Sequence, residues 1–164
     1  MSKMRRILLG MMLILAAAII LGCFGSAKTE QFLEQDTEAI LPDGEHRITL
    51  PAGMTSLMPD PEESDLKGIF IREPDLEMLV YAYDAQGSTI EGLAKALREA
   101  GREAEIRRIG EESFLVYRDR DEADGAPCIG YGYPYEGWLI EISFFYSSNE
   151  AGEMTRTIME SFHG

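Results

Sequence analysis

The sequence predicts an α+β protein built on an antiparallel β-sheet flanked by helices. Three observations predict it. Short apolar runs follow one another through turn-forming residues, the arrangement that pairs neighbouring strands antiparallel. Only two segments carry a helical period, one over residues 88–101 and one near the C-terminus. The order is strands, one helix, four further strands and a closing helix, which is not the strict strand–helix alternation of a parallel sheet. The chain has 164 residues, so one domain is expected.

Each element has its own local reason. "FGSAKTEQFLEQD" is short, polar and weakly patterned, which suits a tether over residues 23–36. The folded domain then spans 37–164. "TEAILPDGEHRITLP" reads as a hairpin, because two short runs, ending at Leu41 and starting at His46, flank the turn signal Pro42-Asp43-Gly44. Residues 58–65 form an acidic, proline-bearing loop, and 68–73 a strand. "LEMLVYAYD" (76–84) is apolar on both alternating faces, as a central strand covered on both sides would be.

In "STIEGLAKALREAG", Ser88 and Glu91 have capping-box spacing, Ile90, Leu93, Ala94 and Leu97 share one face, and Gly101 sits just past the end. Strand-like runs follow at 104–109, 113–119, 127–135 and 138–146. "WLIEISFFY" places Trp138, Ile140, Ile142, Phe144 and Tyr146 on one face, so Trp138 is expected in the core. A last helix, about 150–162, opens on Ser147 and Glu150, again at capping-box spacing, and turns Met154, Ile158 and Phe162 inward.

Charge narrows the function. There are 29 acidic and 15 basic residues, a net charge of −14. Three of the basic residues, Lys3, Arg5 and Arg6, precede an apolar run. Without residues 1–22 the balance is 12 basic against 29 acidic, or −17. Phosphate backbones repel such a body, so no nucleic-acid partner is expected.

"MSKMRRILLGMMLILAAAIILGC" has the three parts of a signal peptide: a basic start, an uncharged apolar run from Ile7 to Leu21, and the small residue Gly22. Ile20-Leu21-Gly22-Cys23 resembles the lipobox of bacterial lipoproteins. That resemblance implies cleavage after residue 22, a lipid on the Cys23 thiol, and a chain held at the membrane by this anchor on the extracytoplasmic side. An uncleaved spanning anchor and a plain secretory signal remain alternatives, and both also place the body outside the cytoplasm. With Cys23 lipidated, Cys128 has no intramolecular partner, and it reads as a small buried apolar residue.

The pattern "ITLPAGM", an aliphatic strand pair, the capped helix "STIEGLAKALREAG", the run to "GWLIEISFFY" and the closing "MTRTIMESF" resembles the PsbP-like superfamily over about residues 38–163. The resemblance implies a PsbP-like α/β/α sandwich and a binding or assembly role. It carries over no shared active site and no cofactor.

Residues that carry chemistry are few. No nucleophile elbow, zinc helix motif, P-loop or dinucleotide fingerprint occurs. His46 and His163 have no motif around them. Asp119, Asp121, Glu122, Asp124 and Gly125 invite comparison with a calcium loop. Ala123 stands at a ligand position, however, and the glycine comes one residue late. The loop therefore reads as a solvated hairpin tip, with Asp119, Asp121 and Asp124 as weak metal candidates and no metal expected. In "CIGYGYPYEG", Ile129, Tyr131, Tyr133 and Tyr135 share one face, and Cys128, Gly130, Gly132 and Pro134 the other. A tyrosine row suits a binding surface, which makes Tyr131, Tyr133 and Tyr135 the candidate partner-binding residues. The same pattern also fits tyrosines packed inward, with glycines making room.

The expectation is a membrane-anchored extracytoplasmic lipoprotein, not an enzyme, that binds or assembles with an envelope protein. A small envelope hydrolase with an unfamiliar site, or a module for a small ligand or metal, is the alternative.

Overall fold

A computed structural model describes residues 30–59, 62, 65–120 and 125–164. Among the described residues there are ten strands: β1 (Glu30–Phe32), β2 (Thr37–Ile40), β3 (Arg47–Leu50), β4 (Thr55–Leu57), β5 (Leu66–Arg72), β6 (Leu76–Asp84), β7 (Glu103–Ile109), β8 (Glu112–Arg120), β9 (Pro127–Tyr135) and β10 (Trp138–Tyr146). The helices among them are α1 (Ile90–Glu99) and α2 (Asn149–Glu160). Eight strands form one sheet in the order β1-β4-β5-β6-β10-β9-β8-β7, and β2 pairs with β3 apart from it. Every pairing is antiparallel. The antiparallel sheet of the expected fold class therefore holds. The body starts earlier than expected: β1 pairs with β4 and Leu33 is buried, so the stretch given to the tether includes part of the sheet.

The chain reaches the sheet centre through β4, β5 and β6, crosses to the far edge through α1, and returns through β7–β10 until β10 pairs with β6. That central pair is in register over nine residues, from Trp138 opposite Asp84 to Tyr146 opposite Leu76. Alternation along β8 separates the two faces. Phe114 and Val116 belong to the larger core, with Val80, Tyr131, Tyr133 and Ile142 from the strands and Ile158 and Phe162 from the C-terminal segment. Leu115 and Tyr117 belong to a second cluster under α1, with Leu93, Leu97 and Leu139. The helices thus lie on opposite faces. At ten and twelve residues, however, they cover only part of a sheet of this width, and the β2–β3 hairpin supplies Leu41, Ile48 and Leu50 beside α2.

Both helices start one residue later than their capping-box spacing suggests. Thr89, not Ser88, accepts the Gly92 N–H at 3.1 Å, because the Ser88 N–H closes the preceding turn on the Ala85 carbonyl. Ser148, not Ser147, accepts the Ala151 N–H at 3.0 Å, and its hydroxyl also donates to Asp75. A tertiary contact thus fixes which of two adjacent serines caps α2. Past α1, the Gly101 N–H bonds the Arg98 carbonyl and the Arg102 N–H that of Leu97, with Gly101 at φ +82°. This is the Schellman pattern its sequence predicts.

Gly130 is the tightest packing constraint. A Cβ built there would lie 2.2 Å from the Tyr117 ring, which crosses over the strand to reach Glu141 and Ser143. The glycines of β9 thus make room for neighbours: Gly132 faces Leu139 in the same way, at 3.4 Å. Gly130→Ala should cost about 1–3 kcal/mol by overpacking, whereas Gly132→Ala should cost less. Urea midpoints of the two variants provide the comparison.

Candidate functional site

A concavity lies on the α2 face, between the β2–β3 hairpin and the ends of β5, β6 and β10. It is a groove of about 780 Å³, a size ordinary for ligand sites. Val80, Ala82 and Ile140 form its floor, and Ile40 and Trp138 stand at its walls. Gly68 opposes Val80 and makes room for the Phe70 ring, which lies 3.0 Å from where a Cβ would stand, and the β5 register shifts between Leu66 and Gly68.

The hairpin wall is held by one carboxylate. Asp43 Oδ1 accepts the backbone N–H groups of Glu45 and His46, at 3.0 and 2.9 Å. Its Oδ2 accepts the Tyr133 hydroxyl and faces His46 Nδ1 at 2.8 Å. Burial opposes ionisation of Asp43, but the bonds from Tyr133, the two backbone groups and the imidazole outweigh it and hold the carboxyl below its usual range. The same contact raises the Tyr133 hydroxyl well above the usual tyrosine range, with desolvation the larger cause. The His46 ring stacks on Phe162 at 4.8 Å between centroids.

These contacts correct the tyrosine expectation. Tyr131 is 3% exposed and Tyr133 0%, so both are core residues and not a binding surface. Tyr135 alone is half-buried and lines the groove. The row faces inward because β9 is an interior strand whose tyrosine side lies under the hairpin and the C-terminal segment. Trp138 is corrected in the opposite sense. It shares the face of Ile140 and Ile142 but is 49% exposed, because it is the first residue after the Glu136–Gly137 turn and lies beyond the covering elements.

Of the acidic loop, Asp119 is committed to an ion pair with Arg102 and accepts the Arg120 N–H. Asp121 and Asp124, like Cys23, lie outside the described residues. Among the described residues no cluster of His, Cys, Asp or Glu could hold a metal ion. Cys128 is buried and unbridged. The Asp43–His46 pair has the carboxylate–imidazole half of a hydrolytic triad. Its Nε2, however, faces the Glu112 carboxylate at 3.8 Å and not a hydroxyl nucleophile. His163 pairs instead with Glu38, at 3.3 Å.

A second polar group is buried on the α1 face. Glu141 Oε1 accepts the hydroxyls of Tyr117 and Ser143, each at 2.7 Å, while its Oε2 and the Tyr83 hydroxyl have no partner. Desolvation raises the Glu141 carboxyl above its ordinary 4.5, against the lowering effect of the two hydroxyls.

No family model and no curated protein matches the chain. Solved structures share its fold, two of them as follows. One is the solution structure of cyanobacterial PsbP (CyanoP) from Synechocystis sp. PCC 6803, at 13% identity and a TM-score of 0.58, covering 80% of this chain and 93% of that one. The other is a crystal structure from Bacteroides thetaiotaomicron VPI-5482, at 12% identity and a TM-score of 0.54, covering 80% of this chain and 49% of that one. The body therefore has a PsbP-like fold, dominated by its sheet. At such identities the likeness concerns the fold and not the activity.

Two predictions follow from these placements. Trp138→Ala should cost less than about 1.5 kcal/mol, as expected of a half-exposed side chain. Tyr133→Ala should cost about 3–5 kcal/mol. Denaturant midpoints should separate the two clearly. The second concerns Glu141. Between its ordinary and its raised pKa the folded state holds a proton that the unfolded state has lost, so stability falls as pH rises through that window. Glu141→Gln should flatten the decline as pH rises above the ordinary 4.5. Thermal midpoints across that range, with parallel curves for both proteins as the contrary result, test it.

Proposed function

We propose that this chain is a membrane-anchored extracytoplasmic lipoprotein that works as a non-enzymatic binding or assembly module, with the groove as its contact surface for an envelope protein. The basic flank, apolar run and Gly22-Cys23 in register support the address. The single observation that supports the activity is the groove itself. Two large apolar side chains, Ile40 at 62% exposure and Trp138 at 49%, stand open beside an apolar floor. Their exposure forgoes burial that a purely structural role would favour, and exposed large apolar groups grouped around a concavity mark contact surfaces. Tryptophan is also among the residues that carry most binding energy at interfaces. A hydrolase of the triad type would need a hydroxyl or thiol beside His46, where Glu112 stands instead.

Two measurements test the proposal. Cys23→Ser should abolish labelling by a fatty-acid analogue and misdirect the protein. Labelling that survives the change removes the lipid anchor from the proposal. A photo-crosslinker at position 40 should capture the same protein as one at position 138. Trp138→Ala should then remove capture from position 40 while leaving the thermal midpoint within a few degrees, about what 1 kcal/mol shifts it. Capture that persists at full yield would remove Trp138 from the contact, and no capture from either position would place the contact elsewhere.

A further inference from the structure

The chemistry of the groove's rim specifies what it accepts, provided that the groove is the binding surface proposed above. Asp84, Trp138 and Tyr135 lie directly opposite one another on three adjacent strands, β6, β10 and β9. Directly opposed side chains share a face with Cβ atoms about 5 Å apart. A carboxylate, an indole and a phenol therefore stand in one row at the groove mouth. Two further exposed carboxylates, Asp65 and Glu136, flank the row on β5's side and at the β9–β10 turn. Asp43, the remaining acidic lining residue, is saturated by four donors and contributes nothing to a ligand. Lys67 is the single cation among the lining residues, and it is not free.

An anionic ligand would meet three carboxylates at this mouth, and a purely apolar one would desolvate them, with the Gln86 N–H on one Asp84 oxygen as a partial match. A cation seated over the Trp138 ring gains from the ring quadrupole and lies within hydrogen-bonding range of the Asp84 side. Asp65 and Glu136 are separated by more than two strand spacings, roughly 10 Å or more, so one cation cannot serve both. A small amine would also leave most of a groove of about 780 Å³ empty. A peptide satisfies all of these conditions, with an apolar side chain on the Val80–Ala82–Ile140 floor and basic side chains on either side. The partner's positive charge also complements a chain of net charge −14.

We infer that the groove accepts a segment of a partner protein in which an apolar side chain is flanked by lysine or arginine, with one cation stacked on Trp138 beside Asp84. Trp138 is the only tryptophan, so its emission reports the site directly.

The test uses the full chain in zwitterionic detergent and three probes. These are the acetylated peptide Gly-Ser-Lys-Leu-Leu-Arg-Ser-Gly, the same peptide with glutamate for both cations, and n-butylamine. The basic peptide should shift Trp138 emission to the blue and bind more weakly as salt rises. The combined change Asp65→Asn, Asp84→Asn and Glu136→Gln should weaken it about tenfold at low salt. Trp138→Leu, followed by calorimetry, should weaken it about threefold. Equal binding of the acidic peptide, or indifference of the triple variant, would overturn the inference. Full competition by n-butylamine would reassign the row to a small amine and overturn it as well. If neither peptide binds while capture from position 40 persists in the triple variant, the charge assignment fails and the binding surface stands. If position 40 captures nothing, both fail.

Discussion

The groove exists because the Asp43 carboxylate ties the hairpin tip to the sheet. Asp43 belongs to a turn, and turns are ordinarily surface features. Here its side chain is fully buried, with one oxygen used to close the turn and the other to accept the Tyr133 hydroxyl. The β2–β3 hairpin makes no strand pairing with the main sheet among the described residues, so side-chain contacts and its backbone bridge to the C-terminal segment set its height above the floor. Loss of that carboxylate would leave the Tyr133 hydroxyl buried without an acceptor and free the wall that carries Ile40. His46 and Phe162 add a stacked layer that extends the tie to the C-terminal segment. The antiparallel bridge between Arg47 and His163 does the same through the backbone.

Much of the fold was legible in the sequence, and the reasons are local. The Pro42-Asp43-Gly44 turn, the apolar stripe of α1 and the four runs before α2 each follow from neighbours within one element. Period alone assigns a residue to a face but not to a depth. Trp138 and Ile142 share a face, yet one is half-exposed and the other fully buried, because cover depends on the distant hairpin and C-terminal segment. Tyr131 and Tyr133 were misjudged for the mirror-image reason: an amphipathic aromatic row fits a binding face and a covered face equally well. The groove itself was not legible. It collects side chains from β2, β3, β5, β6, β9 and β10, and no short window of sequence contains that set. Only the position of Trp138 next to a turn hinted at an end-of-sheet location.

The two sides of the sheet handle polar groups differently. On the hairpin side, Asp43 is matched by donors and stays ionised. On the α1 side, Glu141 has two hydroxyl donors on one oxygen and nothing on the other, so burial dominates and its neutral form is favoured. Replacing such a group with an uncharged one relieves a desolvation cost, which makes its presence a marginal contributor to stability at best. Tyr117 depends on this carboxylate for its bond, and Gly130 gives up a side chain so that the tyrosine ring can arrive there.

The crossover through α1 has a consequence for how the chain assembles. The central pair, β6 and β10, joins residues more than fifty positions apart, since Asp84 faces Trp138 at the near end. Everything between them, α1 and β7–β9, is linked by short turns and pairs with its immediate sequence neighbours. Loop-closure entropy favours such local pairings over the central one. The chain entropy thus favours pairing within the late meander and within the early one over the β6–β10 seam that joins them. Because Trp138 stands at one end of that seam, the floor of the groove becomes complete only when the two halves have met.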